Sequence, residues 1–169
     1  MNPKTRTNIL FVLIFLLLIT MSYLTYLHYS PDNSTLCNVS INFSCDVVNK
    51  SIYSEIFGIP VSIIGILGTL GILYFFIKLN KDNNKNRSIH LISILLILAM
   101  LFSSYLIYIE LFILLKFCTF CIISDLILFF ISLFFISFVK KKNIKLYFII
   151  FSAIFLLEIL FALFRAFTI

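Results

Sequence analysis

The sequence is poor in what a water-soluble domain needs. Only 12% of its 169 residues are charged and 62% are hydrophobic, with a mean hydropathy of +1.15. No soluble domain of this length could cover so much apolar surface with so little polar surface, so the soluble classes are excluded. There are only four glycines, and three of them, Gly65, Gly68 and Gly71, fall in one apolar run. That leaves no phosphate-binding glycine loop. Tryptophan is absent and histidine occurs twice. His28, at a membrane boundary, reads as interfacial rather than catalytic, and His90 reads as packing. Acidic residues are scarce too, seven against 13 Lys and Arg, for a net charge of +6. In a soluble protein that excess would suggest nucleic acid. Here the basic residues flank the apolar runs, so they read as topology signals and no nucleic-acid partner is expected.

What remains is an all-α polytopic membrane protein, a single domain over residues 1–169 with no internal repeat. A run of about 20 apolar residues spans a hydrocarbon core of about 30 Å. The apolar runs predict transmembrane helices at about 9–28, 59–79, 89–115, 119–139 and 146–168. The first is too long for a signal peptide's apolar core, and no small-residue cleavage site follows it. Residues 30–58 form the one long polar loop, opened by the turn chemistry of Pro31-Asp32-Asn33. Within that loop Asp46 is expected to cap a short helix, with Val47, Val48, Ser51, Ile52, Glu55 and Ile56 at helical spacing. Such a piece is too short to span and amphipathic enough to lie on the membrane surface. Pro60 suits the first turn of the second span, and the glycines there let a neighbouring helix approach closely. The Asn-x-Ser/Thr triplets of the loop, including Asn49-Lys50-Ser51, read as chance in an Asn-rich chain.

With five spans, the N-terminal tail and the loops of the 80s and 140s share one side. Ten basic residues lie there, from Lys4 and Arg6 to Lys145, against Lys50, Lys116 and Arg165 on the other. This bias predicts a cytoplasmic N-terminus and places Cys37, Cys45, Cys118 and Cys121 outside, where disulfides form and persist.

Cys118 and Cys121 are three apart at a helix start, so they share a face and are able to close a disulfide or bind a metal together. Unpaired N–H groups and the positive dipole end at such a place favour a thiolate. Four cysteines permit three pairings. A redox relay, a four-cysteine zinc site and two inert structural disulfides all remain open. The outward location and the wide Cys37–Cys45 spacing weigh against zinc. Asp125, a turn deeper than Cys121, is a functional candidate because it is a carboxylate inside a span. Glu110, two turns before Cys118, is either a surface snorkeller or functional. Ser51 and Ser54 on the short helix would ordinarily bond their own backbone.

Taken together these segments resemble the vitamin K epoxide reductase family in its bacterial and archaeal branch. The likeness is carried by Cys37 and Cys45, by Ser51 and the Phe57-Gly58-Ile59-Pro60 run, and by Tyr108-Ile109-Glu110-Leu111-Phe112 leading to Cys118-Thr119-Phe120-Cys121. It covers about residues 10–140. The resemblance implies a four-helix bundle around a quinone (menaquinone or ubiquinone), a fifth helix, and an extracytoplasmic half-helix capping the site. It implies that Cys118 and Cys121 face the quinone, with Ser51, Phe57 and Asp125 beside it. Cys37 and Cys45 would relay electrons from a thioredoxin-like protein. Vertebrate members carry a tyrosine where this chain has Asp125, which argues against vitamin K epoxide as substrate. Some bacterial members carry a fused thioredoxin-like domain after the fifth helix. This chain stops at Ile169, so a partner in trans is expected. The function implied is quinone-dependent thiol oxidation in the plasma membrane of a prokaryote, forming disulfides in extracytoplasmic proteins. The rival of a different class is a non-catalytic scaffold or small-solute carrier with structural disulfides.

Overall fold

A computed structural model describes residues 3–30, 44–81, 85–136, 149–154, 156–157 and 160. Four helices among these are long and apolar enough to cross a membrane. They lie in α1 (Pro3–Tyr29), α3 (Val61–Lys81), α4 (Lys85–Ile109, continued by a π turn over Glu110–Leu114) and α5 (Thr119–Ile136). The short α2 (Cys45–Asn49) precedes a 3-10 turn at Ile52–Ser54 and a two-stranded hairpin, β1 (Glu55–Ile56) and β2 (Ile59–Pro60). Uninterrupted Leu, Ile and Phe force the long segments into helices, because an apolar medium leaves backbone N–H and C=O groups no other partner. Their hydroxyls bond within the helix as well: Ser93 to the Ile89 carbonyl, Ser124 to Phe120 and Ser132 to Leu128.

Helix α1 packs against α3 and α5, and α4 packs against α3 and α5. The four enclose a dry core of Leu10, Ile14, Phe76, Ile92, Leu96, Ile131 and Phe135. The fifth expected span, 146–168, falls largely outside the described residues. Its described part, 149–154, 156–157 and 160, is helical, and Phe151 and Ile154 join the same core. A second buried cluster gathers Leu24, Leu27, Val48, Cys45 and Cys118 at the cysteine end.

Three expectations are corrected here. The surface helix is shorter than its periodicity suggested, ending at Asn49 and giving way to the hairpin. Asp46 is not its cap: Ser44 takes that position, and Asp46 lies inside the first turn, paired with Lys50 at 3.8 Å. The second span begins at Val61, because Pro60 is in β2, where it pairs with Glu55. The hairpin reverses through Phe57 (φ 53°) and Gly58 (φ 76°), both left-handed, as a two-residue turn between twisted antiparallel strands requires.

A Cβ added at Gly58 or at Gly68 would meet nothing within 4 Å, yet the two substitutions should differ. At Gly58 the left-handed backbone alone penalises a side chain, by roughly 1–2 kcal/mol. At helical Gly68, alanine gains about 0.8–1 kcal/mol of helix propensity. Thermal unfolding in detergent should therefore show Gly58→Ala melting below the parent protein and Gly68→Ala at or above it.

Candidate redox site

Two chain reversals bring the cysteines together. At the end of α4 the helix widens into its π turn and stops at Leu115, whose φ of 53° is left-handed. The Lys116 N–H closes this turn on the Glu110 carbonyl at 3.3 Å. On the other segment, Ser44 begins α2 in an extended conformation, and its N–H donates to the Phe117 carbonyl at 3.0 Å. Ser44 and Phe117 each immediately precede a cysteine, so this bond sets Cys45 and Cys118 side by side. Their sulfurs are 3.1 Å apart, and both residues are fully buried.

The cysteines differ in state. Cys45 is disulfide-bonded to a partner outside the described residues, whereas Cys118 and Cys121 are free thiols. Cys37 lies outside the described residues. The Cys121 N–H donates to the Cys118 sulfur at 3.2 Å, and the Cys118 N–H donates to the Glu110 carboxylate at 3.1 Å. The same carboxylate shares the small cavity's wall with the Cys121 side chain. A free thiol in contact with a disulfide sulfur is the arrangement thiol–disulfide exchange needs, since exchange proceeds by sulfur attack through a mixed disulfide.

Polar residues that sequence reasoning passed over latch α2 onto the end of α1. The buried Asn49 side chain donates to the Leu24 carbonyl at 2.6 Å. The His28 Nδ1–H donates to the Asn49 carbonyl at 2.7 Å, and Nε2 faces the Glu55 carboxylate at 3.2 Å. Lys50 reaches the Ser30 carbonyl at 2.7 Å, and Ser54 caps the Asn49 and Ser51 carbonyls. Helix α2 carries Cys45 at one end and Asn49 at the other, so the latch positions the sulfur. Its only sequence signal was Asn49 in a chance-looking triplet.

Beneath α2 lie two adjoining cavities. The smaller, about 80 Å³, is lined by Ser51, Tyr53 and Ser54 from the cap side and by Glu110, Cys121 and Asp125 from the helices. The larger, about 420 Å³, runs between α1, α3, α4 and α5 along Ile64, Gly68, Ile72, Leu98 and Phe102. Met21, Val61, Leu106, Ser124 and Asp125 line both, so the thiol end opens directly into an apolar chamber. The larger volume falls within the range of about 300–1,000 Å³ usual for small-molecule sites. Gly68 keeps part of that chamber open where a larger side chain would fill it. At Gly65, by contrast, a Cβ would come within 2.8 Å of Met21 in α1, so close helix approach explains one glycine of the stripe.

The structure thus brings together Cys45, Cys118, Cys121, Ser51 and Asp125. Ser51 donates its hydroxyl to the Val48 carbonyl at 2.8 Å, which supports the cap. Asp125 accepts a hydrogen bond from Ser103. Phe57 does not join them: it is fully exposed at the hairpin tip and lines neither cavity.

A helical membrane protein with two free thiols and a disulfide sulfur at the mouth of an apolar chamber fits the class of membrane oxidoreductases. The family model of the vitamin K epoxide reductase family matches residues 8–139, most of the chain, and the protein belongs to that family. The family is one of quinone-linked oxidoreductases. No match was found among curated proteins. The chamber fits a quinone on this chain's own features: an apolar cavity of about 420 Å³ adjoining a smaller one that carries a thiol, hydroxyls and carboxylates.

Removing the Asn49 latch should loosen the sulfur contact without unfolding the bundle. Losing a buried hydrogen bond costs about 1–3 kcal/mol. In a Cys37→Ser/Cys121→Ser background, Asn49→Ala should slow formation of the Cys45–Cys118 bond under mild oxidant by about tenfold. Gel-shift after thiol blocking measures the rate.

Proposed function

We propose that the protein is a quinone-dependent thiol oxidase that drives disulfide formation in extracytoplasmic proteins of a prokaryote. One observation carries this reading: a continuous chain of sulfurs from the disulfide-bonded Cys45, through Cys118 at 3.1 Å, to Cys121 on the cavity wall. Cys45 is sealed against Cys118, which leaves Cys37 as the loop sulfur for a thioredoxin-like partner acting in trans. A partner thiolate attacks Cys37, the Cys37–Cys45 bond breaks, and Cys45 leaves as a thiolate. The partner's second thiol releases Cys37 and closes the partner's own disulfide.

Cys45 then attacks Cys118 of an oxidised Cys118–Cys121 pair, forming the Cys45–Cys118 bond and expelling Cys121. Attack of Cys37 on Cys45 restores the loop disulfide and frees Cys118. The described state, with Cys45 oxidised and Cys118 and Cys121 reduced, matches the end of this transfer. A bound quinone would supply the electron sink, accepting the two electrons of the Cys118/Cys121 pair together with the two protons released by the partner's thiols. Ser51 and Ser54 hold the cap over the thiols, Asp125 lines the chamber mouth, and the apolar walls exclude water. A membrane chamber suits this chemistry because quinones dissolve in lipid and protein thiols do not. The basic residues beside the 80s and 140s loops support placing the cysteine end outside the cytoplasm.

The test is purified protein in lipid nanodiscs with a quinone and a reduced thioredoxin-like protein, followed by quinol absorbance. Quinol should form in step with partner oxidation, and Cys118→Ala or Cys121→Ala should abolish it. Oxidation of the partner with no quinol formed would contradict the reading. The relay has its own signature. Cys37→Ala/Cys45→Ala should lose protein-driven quinol formation and keep that driven by dithiothreitol, because a small dithiol reaches Cys118 where a folded domain cannot.

A further inference from the structure

The thiol exchange leaves one need unmet by the four cysteines. When Cys45 attacks Cys118, Cys121 departs as a thiolate into a largely apolar cavity, and its proton must come from somewhere close. When the dithiol is reoxidised, that proton must leave again. Glu110 is the residue placed for both. It is buried, it lines the small cavity with Cys121, and its carboxylate accepts the Cys118 N–H at 3.1 Å. The π turn that begins at Glu110 sets it at the end of α4, facing the start of α5. π turns recur at functional sites.

We propose that Glu110 is the acid and base of Cys121, a role that deepens the thiol-oxidase reading and rests on it. As the Cys45–Cys118 bond forms and the Cys118–Cys121 bond breaks, the Glu110 carboxylic acid gives its proton to the Cys121 sulfur and is left as a carboxylate. Before the dithiol is reoxidised, the carboxylate takes that proton back and leaves Cys121 as the thiolate. Neither transfer needs a further reagent. The Cys118 N–H bond keeps the carboxylate fixed on the CxxC turn through both. The other titratable groups facing Cys121 are Cys118 ahead of α5, Asp125 one turn along α5, and Tyr53 on the cap. Cys45 is held in a disulfide, Asp46 on α2 is paired with Lys50, and among the described residues no Lys or Arg lines the small cavity. Asp125, bonded by Ser103, is the alternative proton carrier that a test must separate.

The experiment measures alkylation of Cys121 against pH in the reduced, full-length protein, read by fragment mass spectrometry, alongside dithiothreitol-driven quinol formation. The variants are Glu110→Gln, which retains an acceptor for the Cys118 N–H, Glu110→Asp and Asp125→Asn. The parent profile should show a carboxylate inflection as well as that of the thiol. Glu110→Gln should lose the carboxylate inflection and about a hundredfold of turnover. Glu110→Asp should recover part of both, and Asp125→Asn should keep the inflection.

An unchanged alkylation profile in Glu110→Gln overturns the proposal even if turnover falls, because the residue then only positions the turn. Loss of the inflection in Asp125→Asn but not in Glu110→Gln overturns it in favour of Asp125. Should Glu110→Gln fail to fold, an unchanged profile in Glu110→Asp is the overturning result. The alkylation arm needs no quinone, so it tests Glu110 even if the parent protein reduces none.

Discussion

The Ser44 N–H meets the Phe117 carbonyl at 3.0 Å, and a cysteine follows each of these residues directly. That single backbone bond joins segments 73 residues apart in sequence at the cysteines and fixes their register. Slide it by one residue and the two sulfurs no longer meet. Everything else at this end supports it: the left-handed Leu115 that turns the chain after α4, the Asn49 and His28 contacts that clamp α2, and the apolar seal of Leu24, Leu27 and Val48. The seal matters chemically as well. A buried sulfur pair keeps folded proteins off Cys118, so a protein thiol reaches it only by way of Cys45.

The bundle below faces the opposite problem, since it must hold a polar reaction in an apolar frame. It does so by confining polar atoms. Most core hydroxyls bond the preceding turn of their own helix and present carbon to their neighbours. Bonds between elements gather near the chamber, where Thr25 also meets Ser62, Ser103 meets Asp125 and Glu110 accepts the Cys118 N–H, while Ser132 reaches the Met100 sulfur deeper in the core. Polar groups bonded across elements in an otherwise dry bundle are expensive to place, and they mark where the chemistry is.

Much of this was legible in the sequence. Four spans follow from apolar length alone, because no other fold satisfies the backbone in lipid. Four cysteines, Ser51 and Asp125 stand out by spacing and likeness, and among the described residues Cys45, Cys118, Cys121, Ser51 and Asp125 lie together. What failed was local and tertiary. Helical spacing from Val47 to Ile56 draws the half-helix too long, and the family likeness sets Phe57 beside the quinone where the structure has it at the hairpin tip. Neither the Asn49 triplet nor the interfacial place of His28 points to a latch, since one exists only once α1 and α2 meet. Glu110 stood undecided between lipid surface and site because its direction is set by a π turn that no periodicity announces.

The central claim is that electrons cross from the loop to the membrane thiols through Cys45 and Cys118. Mixing a Cys121→Ser variant with a reduced thioredoxin-like protein, quenching with acid and mapping disulfides by mass spectrometry tests it most directly. With no Cys121 to hold the Cys118 disulfide, mild oxidant should trap a bond between Cys45 and Cys118, with Cys37 left free or bound to the partner. A trapped bond from Cys37 to Cys118, or none to Cys118 at all, would contradict the account.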